Sequence, residues 1–500
     1  MNEILEFVTP ESVGISSKAI TDFVLDIQER EIMLHSFILM RHGKVCAELY
    51  CPPFKKDEFH RMYSTSKSFA SMALGILIGE GKVKFEDKIA DYFPEYRNEN
   101  THEWILNITV KDALMMSSTT TEGVYSIKDK NFISNLFSSN PLHPSGMIFN
   151  YDTNATNCIT SIVEKVSGKP FMEFLKEKAL LEIGFSKDSS CVQMPQGGSW
   201  GGSGVLCSTR DLARFALLVY NDGYSNGKQL LPKDYVVEAK SFQTENCTTG
   251  HKDKLRGHGY GYQIWRIFEN GYAFLGMGGQ CMFAFPDYDL IYCMTTDVQG
   301  NPNSYIPFAE ALYYNIMKSI KKFDKTDSIP ENASLKAELD EIISNFKAPV
   351  PSGKDKTSWT DKINGKVYKT PENPMGINSF YLTFDNGKGV FHYDTQRGEK
   401  QIPFAFGEYL ISEFPENHYS GHQVHVPLGH GYRSMSAGAW VEDNKLAIRT
   451  YVIDDYFGNL NTLISFKDNF AAIRMCKTAE GFLDEYNGET VGELIKPKRT

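Results

Sequence analysis

The sequence lacks long hydrophobic runs and has no excess of basic residues. Its longest apolar stretch, Met72 to Ile78, is far too short to cross a bilayer. The net charge of −10 at pH 7 argues against nucleic acid as the main partner, because phosphate binding needs a basic face. Hydrophobic residues make up 41% and charged residues 23%, proportions that exclude a disordered, collagen-like or coiled-coil chain. We therefore expect a globular protein that binds neither nucleic acid nor membrane.

Cysteine is also sparse, and the motifs of common cofactors are absent. The nine cysteines are an odd number without a Cys-x-x-Cys pair, which favours reduced thiols over a disulfide scaffold. The opening residues MNEILEFVTPESVGISS contain no basic segment followed by an apolar one, so we expect no secretory signal and a cytoplasmic location. With neither a P-loop nor a His-Glu-x-x-His motif, we expect no cofactor.

Four histidines crowd one stretch near the C-terminus, at His418, His422, His425 and His430. His422 and His425 are three apart, so on a strand they would point to opposite faces. No pattern of carboxylates completes a ligand set around them. We therefore expect no metal site.

The first half of the chain has strand patterns at both ends and helical patterns between them. SFILMRHGKVCAELY at 36–50 predicts two strands around a turn, and GYAFLG, GQCMFAFP and LIYCMTTD at 271–297 predict three more. Helices are predicted from Phe69, over NCITSIVEKVSG up to Gly168, and over FAEALYYNIMKSIKK. These elements predict one sheet, assembled from both ends of an α/β unit and covered by helices.

After Lys322 the composition shifts, and two or three domains are expected for 500 residues. We predict a first domain at 1–325, a helix and linker at 326–356, and an all-β domain at 357–500. SFYLTFDNGKGVFHY predicts a hairpin around Asn386-Gly387, and GAWVEDNKLAIRTYVI another around Asp443-Asn444. Together with KQIPFAF, GHQVHVP and LNTLISF, these short strands predict an antiparallel barrel or sandwich.

The segment HRMYSTSKSFASMALGILIGEG contains a candidate nucleophile, Ser64, three residues before Lys67. If Ser64 opens the helix, Lys67 lies one turn on with its amine within reach of the hydroxyl, and could activate it. Ser-x-x-Lys also occurs at Ser225, in a turn, and at Ser319, on the basic end of a helix. From the motif alone, a capping serine with a snorkelling lysine is the competing interpretation.

The surrounding residues resemble a known family. MYSTSKSFASMALGILIGEGKVKFEDKIADYFPEY is similar to the nucleophile helix and following loop of the serine β-lactamase and penicillin-recognising superfamily, in particular its class C-like esterases, amidases and D-aminopeptidases. The resemblance extends over the first 320 residues or so, through RHGK at Arg41, ITVKDALMMSS at Ile108 and GGSGVLCSTRDLARFALLV at Gly201. It implies a β-lactamase-like fold in which Ser64 and Lys67 form the catalytic pair. Some relatives carry a C-terminal lipocalin-like eight-stranded barrel, which the tail loosely resembles.

The family's second motif, Tyr-x-Asn, has its best counterpart at Tyr151, in PSGMIFNYDTNATNCITSIVEKVSGKPF. The resemblance implies that Tyr151 shares the proton transfers with Lys67. Thr153 stands where the family has Asn and is assigned to the substrate pocket. The literal matches at Tyr96 and Tyr313 lack the family's surroundings.

The third motif is usually Lys-Thr-Gly or His-x-Gly, and this chain departs from it. Alignment of FLGMGGQCMFAFPDYDL places Phe274 at the Lys/His position and Gly276 at the glycine, with Gly278 also in the pocket. The backbone N–H of Met277 would be the second oxyanion donor beside that of Ser64, and backbone donors tolerate side-chain change. The loss of the cation disfavours substrates with a carboxylate and favours neutral esters or amides.

The sequence therefore predicts a serine hydrolase that cleaves a small-molecule ester or amide, or a peptide-like substrate, through an acyl-enzyme. One alternative is a β-lactamase or D-amino-acid peptidase, which would need a cation from elsewhere. The other is a non-catalytic binding or sensor protein that kept the fold. The C-terminal domain would restrict access to the cleft or support a homo-oligomer.

Overall fold

The computed structural model describes residues 5–119, 130–247, 255–300, 305–416, 431–454, 457–478 and 485–495. The chain forms two compact units, Met1–Ala348 and a second that begins at Pro349. The division falls inside the segment 326–356 for which we predict a helix and linker.

A six-stranded antiparallel sheet forms the centre of the first unit. Its strands are β1 (Leu34–Arg41), β2 (Lys44–Tyr50), β3 (Trp265–Ile267), β4 (Gly271–Gly276), β5 (Gln280–Phe285) and β6 (Leu290–Thr296). The order β2-β1-β6-β5-β4-β3 joins strands from both ends of the unit, as predicted. Every residue of β1 is buried, since both faces of this central strand are covered.

Helices pack around this sheet. The longer ones are α1 (Ser17–Glu29), α2 (Ser66–Gly79), α3 (Thr153–Ser167), α4 (Thr209–Tyr220), α5 (Lys233–Lys240) and α6 (Ala333–Ser344). Helix α2 is almost wholly buried, as expected of a helix inside a large core. Helix α3 ends at Gly168, whose φ of 73° makes the left-handed cap that the sequence predicts.

Shorter elements complete the first unit. Two small sheets are formed by His60–Arg61, Ser190–Cys191 and Val205–Cys207, and by Tyr224–Ser225 with Lys228–Gln229. The short α-helices are Ile89–Tyr92, Glu103–Leu106, Val110–Leu114, Phe132–Phe137, Phe171–Leu175 and Ile306–Ala311. The 3-10 turns are Glu11–Val13, Tyr63–Thr65, Pro94–Tyr96, Leu181–Ile183, Met277–Gly279, Pro286–Tyr288 and Met317–Ser319, and Lys176–Leu180 and Leu312–Ile316 are π-helical.

The predicted helix over FAEALYYNIMKSIKK is correct only in part. It is α-helical over Ile306–Ala311, becomes π-helical over Leu312–Ile316, and ends in the 3-10 turn Met317–Ser319. Asn315 Nδ2 donates to Ala311 O at 3.0 Å and to Asp26 Oδ2 at 3.0 Å. The side chain thus competes for a carbonyl of the helical ladder, a recognised cause of local helix distortion.

A buried arginine holds one edge of the first unit together. Arg41 is fully buried, donates to Val13 O at 2.8 Å and Tyr288 O at 3.1 Å, and forms an ion pair of 2.9 Å with Asp327. We expect Arg41→Met to lower the free energy of unfolding by about 3–5 kcal/mol, because it breaks a buried ion pair and removes the donor to two backbone carbonyls. The Asp327 carboxylate then keeps its contact with His42 Nε2, at 3.3 Å.

The measurement is urea unfolding followed by circular dichroism, with Arg30→Met as the matched control. Arg30 follows the last residue of α1 and forms a partly exposed ion pair with Asp26, so its loss should cost less than about 1 kcal/mol. Equal destabilisation by the two variants would contradict the role assigned to Arg41.

The second unit is a closed β-barrel, which decides between the predicted barrel and sandwich. It begins with the helix Ser358–Ile363. Its strands are β7 (Tyr368–Lys369), β8 (Ile377–Asp385), β9 (Lys388–Thr395), β10 (Gly398–Phe406), β11 (Leu410–Phe414), β12 (Tyr432–Glu442), β13 (Lys445–Ile453), β14 (Phe457–Lys467), β15 (Phe470–Thr478) and β16 (Gly488–Leu494). The hairpin at Asn386-Gly387 is confirmed, with φ angles of 46° and 76°. The segment GHQVHVP lies outside the described residues.

Nine strands close the barrel, one more than in the eight-stranded arrangement that the tail resembles. The ring runs β10-β9-β8-β7-β16-β15-β14-β13-β12 and returns to β10 through a short parallel pairing, Ala405 with Ala437 and Phe406 with Gly438. The additional strand, β7, has only two residues and bridges β8 and β16. A strand this short shows no alternation of polar and apolar residues, so the sequence does not reveal it.

Within the described parts of the chain, no helix is both long and apolar enough to span a bilayer.

Candidate active site

Ser64 lies in the 3-10 turn Tyr63–Thr65, immediately before α2, rather than in the first turn of the helix itself. It is partly exposed and lines a cavity of about 180 Å³ in the first unit. The hydroxyl therefore reaches a space that a small substrate group can enter. The Ser-x-x-Lys serines at 225 and 319 do not line this cavity: Ser225 is in a hairpin, and Ser319 donates to Ile316 O.

The amine of Lys67 is buried beside Ser64. Its Nζ lies 3.1 Å from Ser64 Oγ and donates to Gly202 O at 2.7 Å, and the residue is 1% exposed. A lysine is rarely this buried unless it is paired or functional. The position excludes the interpretation of Lys67 as a snorkelling surface lysine.

Tyr151 precedes the N-terminus of α3 and contacts both Ser64 and Lys67. Its hydroxyl is hydrogen-bonded with Ser64, and the Lys67 Nζ lies 4.9 Å from the centre of its ring. Burial raises the pKa of Tyr151 to about 12, although the hydrogen bond with Ser64 and the charge of Arg256 act in the opposite direction. The phenol is therefore protonated near neutral pH.

Asp152 is a buried carboxylate next to Tyr151 in the chain, and the sequence analysis does not identify it. Its carboxylate caps α3 by accepting from the backbone N–H of Asn154 at 2.8 Å and of Ala155 at 3.2 Å, and it accepts from Ser118 Oγ at 2.7 Å. Burial raises the pKa of Asp152, while these hydrogen bonds and the charge of Lys67 oppose the rise. An Asp immediately before a helical pattern is an N-cap signal and could have revealed it.

Met277 and Gly278 line the cavity from the turn that follows β4. Gly276 lets this turn approach Ser64, since a Cβ at Gly276 would lie 2.2 Å from Met62 O. Thr65, which caps the N-terminus of α2, also links the two segments, since its Oγ1 donates to Gln280 O at 2.7 Å. Glycine at 276 thus serves close backbone packing, and the structure does not place it in the cavity lining, contrary to our expectation.

Two other expected pocket residues also lie elsewhere. Phe274 is 1% exposed and packs its ring 5.5 Å from that of Phe215, because alternate residues of β4 point to opposite faces and Leu275 faces the cavity. Thr153 is the first residue of α3 and lies against Gly202, where an added Cβ would come within 2.7 Å of its methyl group. Neither lines the cavity of Ser64.

A cation that the sequence analysis did not identify lines the same cavity. Arg256 lies with its guanidinium carbon 5.7 Å from the ring centres of both Trp265 and Tyr305. The Trp265 ring in turn stacks on that of Tyr151 at 5.3 Å. Among the described residues of the lining, Arg256 is the single charged one. No motif in its surroundings, LRGHGYGYQIW, distinguishes it from a surface arginine.

The described parts of the chain contain no group of three or more His, Cys, Asp or Glu side chains that could hold a metal ion. His418, His422, His425 and His430 lie outside those parts.

Comparison with known proteins places this geometry in a family. The model of the Beta-lactamase family matches residues 35–312. The chain belongs to the Beta-lactamase family. This match contains Ser64, Lys67, Tyr151 and the strands β1 to β6 almost entirely.

The individual relatives and solved structures that this chain resembles share little sequence identity with it. The 6-aminohexanoate-dimer hydrolase of Paenarthrobacter ureafaciens is 22% identical over 246 residues, which cover 46% of this chain and 63% of that protein. The chain thus spans less than two thirds of that relative. A penicillin-binding protein homolog from Caulobacter crescentus superimposes with a TM-score of 0.50 at 17% identity, covering 62% of this chain and 98% of the other. A Bacillus anthracis structure provisionally named as a 6-aminohexanoate-dimer hydrolase gives 0.50 at 18% identity, covering 62% and 87%. At these identities the two structures show the fold.

Proposed function

We propose that the protein is a serine hydrolase that cleaves a small ester or amide through an acyl-enzyme on Ser64. The observation that carries the proposal is the convergence of the Lys67 amine and the Tyr151 hydroxyl on Ser64 at the wall of a cavity. A serine hydroxyl becomes a useful nucleophile only when a neighbouring group accepts its proton. The name of the Paenarthrobacter relative, a hydrolase, supports the same class of reaction.

The proposed acylation uses the three side chains in sequence. Ser64 Oγ bonds to the substrate carbonyl carbon while its proton passes to the amine of Lys67, a transfer that requires this amine to have lost its own extra proton first. The backbone N–H groups of Ser64 and Met277 stabilise the oxyanion of the tetrahedral intermediate. As the bond to the leaving group breaks, that group takes the proton of the Tyr151 hydroxyl, and the Lys67 ammonium returns a proton to Tyr151.

Deacylation reverses these proton transfers. Water attacks the acyl carbon and gives a proton to the same Lys67 and Tyr151 pair, and Ser64 recovers its proton as the acid departs. The step consumes one water for each bond cleaved and requires no metal or cofactor. Asp152 contributes by holding the start of α3, and hence Tyr151, in place.

The test is intact-mass analysis after treatment with a fluorophosphonate. We expect a single adduct on Ser64 in the native protein, none in Ser64→Ala, and slower labelling in Lys67→Ala. Ser68→Ala is the matched control, since Ser68 lies in the same helix but its hydroxyl donates to Gln263 O. Native protein that stays unlabelled would overturn the proposal and favour a non-catalytic binding protein.

A second candidate function, a β-lactamase or D-amino-acid peptidase, depends on a cation in the cavity. Arg256 supplies one, although it lies outside the family's usual strand position. Turnover of a chromogenic cephalosporin well above the rate of ester hydrolysis would favour this candidate.

A cytoplasmic location and self-association are further proposals from the sequence. The nine cysteines, present as thiols, support the first. Light scattering of the purified chain measures the second.

A further inference from the structure

Tyr305 joins the cavity wall to the turn that carries the proposed second oxyanion donor. It lines the cavity together with Ser64 and Met277, and its hydroxyl donates to Gly276 O at 2.9 Å. Gly276 is the last residue of β4 and immediately precedes Met277. The carbonyl that Tyr305 contacts therefore belongs to the same peptide unit as the backbone N–H of Met277.

The geometry of a peptide unit couples these two groups. The unit is planar and trans, so its C=O and its N–H point in opposite directions and turn together. A hydrogen bond that fixes the direction of Gly276 O thereby fixes the direction of the Met277 N–H. Accepting that bond also polarises the carbonyl, which makes the N–H of the same unit a stronger donor. Both effects act on the group that would bind the developing negative charge.

The rest of the turn is held independently of Tyr305. The Nε2 of Gln280, a fully buried residue, donates to Met277 O at 3.4 Å. The backbone N–H of Val298 donates to Gly278 O at 3.1 Å. Three successive carbonyls of the turn thus accept a hydrogen bond from outside it. Loss of the Tyr305 hydroxyl should therefore release the orientation of one peptide unit without unfolding the turn.

Resting on the proposed function, we infer that Tyr305 is a positioning residue that orients the Met277 N–H for the substrate oxyanion. It acts through the peptide unit, and its effect is largest in the tetrahedral transition states, in which the substrate oxygen gains its charge. Acylation and deacylation both form such an oxyanion, so Tyr305 serves both steps. Its role differs from that of Tyr151, which is hydrogen-bonded with Ser64 itself and exchanges protons with the leaving group.

The kinetic test compares an ester with its thiono analogue in Tyr305→Phe. We expect kcat/KM for 4-nitrophenyl butyrate to fall about 10-fold, between the effect of losing an ordinary hydrogen bond and that of losing a whole oxyanion donor. For O-4-nitrophenyl thionobutyrate, whose sulfur accepts hydrogen bonds weakly, the change should be below about 3-fold. The variant keeps the ring, and with it the contact with Arg256 at 5.7 Å. A loss of folded protein or a displaced Ser64 would instead lower both rates equally.

Tyr220→Phe is the matched control. Tyr220 is also a partly buried tyrosine with a donating hydroxyl, but its partner is Asp289 Oδ1, at 2.7 Å, and it does not line the cavity. Its replacement should leave the ratio of the two rates unchanged. Equal falls for the two esters in Tyr305→Phe, or no fall for the oxygen ester, would overturn the inference.

Inhibition by phenylboronic acid distinguishes failure of this inference from failure of the proposed function. When the Oγ of Ser64 adds to boron, the adduct is tetrahedral and resembles the transition state. The inhibition constant should be about 10-fold higher for Tyr305→Phe than for the native protein. An unchanged constant, with inhibition and hydrolysis that both require Ser64, would refute the role of Tyr305 and leave the proposed function standing. Ester hydrolysis that persists in Ser64→Ala would refute the proposed function itself.

Discussion

In Ser64→Ala, kcat/KM for 4-nitrophenyl butyrate should fall by about 10⁴- to 10⁶-fold, and Lys67→Met should cost nearly as much. The two side chains act on one proton, since Lys67 Nζ lies 3.1 Å from Ser64 Oγ. Either change therefore removes the same activated nucleophile, and the double variant should lose little more than each single one. Steady-state kinetics of the three variants measures this lack of additivity.

Lys176→Met is the matched control for Lys67→Met. Lys176 is also a buried lysine whose amine donates to backbone carbonyls, Lys187 O at 2.8 Å and Ser189 O at 2.9 Å, but it does not line the cavity. Its replacement should alter stability and leave kcat/KM within about 3-fold. If Lys67→Met kept a tenth of the native activity, Lys67 would not be the base.

Tyr151→Phe should lower kcat/KM more for substrates with a basic leaving group than for substrates whose leaving group departs without a proton. For a butyryl anilide we expect kcat/KM to fall about 10²- to 10⁴-fold, the range for loss of a general acid. For 4-nitrophenyl butyrate the fall should be about 10-fold or less, because 4-nitrophenolate departs without a proton. The physical basis is that burial raises the pKa of Tyr151 to about 12, so the phenol retains a proton to donate at neutral pH.

The control for this experiment is Tyr260→Phe. Tyr260 is buried with its ring centre 6.4 Å from that of Tyr151, so its variant also removes a buried hydroxyl near the site. It should change the two substrates by the same factor. An equal fall for both substrates in Tyr151→Phe would show that Tyr151 does not protonate the leaving group.

Local patterns predicted the parts of the fold in which neighbours along the chain are also neighbours in space. The two strands predicted over 36–50, the hairpin at Asn386-Gly387 and the end of α3 at Gly168 each depend on a few adjacent residues with restricted backbone angles. The two-residue strand β7 and the π-helical turn Leu312–Ile316 depend on contacts with distant elements, and the sequence shows neither.

The same difference between local patterns and distant contacts explains which site residues the sequence predicts correctly. The aligned motifs predict Thr153 and Phe274 to lie in the pocket. In the structure, strand alternation turns Phe274 away from the cavity, and Thr153 packs against Gly202. Asp152 stands immediately before a helical pattern, which is a local N-cap signal. No local pattern distinguishes Arg256, because its place in the cavity depends on the distant Tyr305 as well as on the nearby Trp265.

What the sequence by itself determined is the proximity of Ser64 and Lys67, because three residues along a helical turn bring two side chains to one face. Only the tertiary structure decided which groups surround that pair. The start of α3 brings Tyr151, the turn after β4 brings Met277, and the segment before β3 brings Arg256. These elements are far apart in the chain, and burial of their apolar faces in one core, rather than any local preference, brings them together.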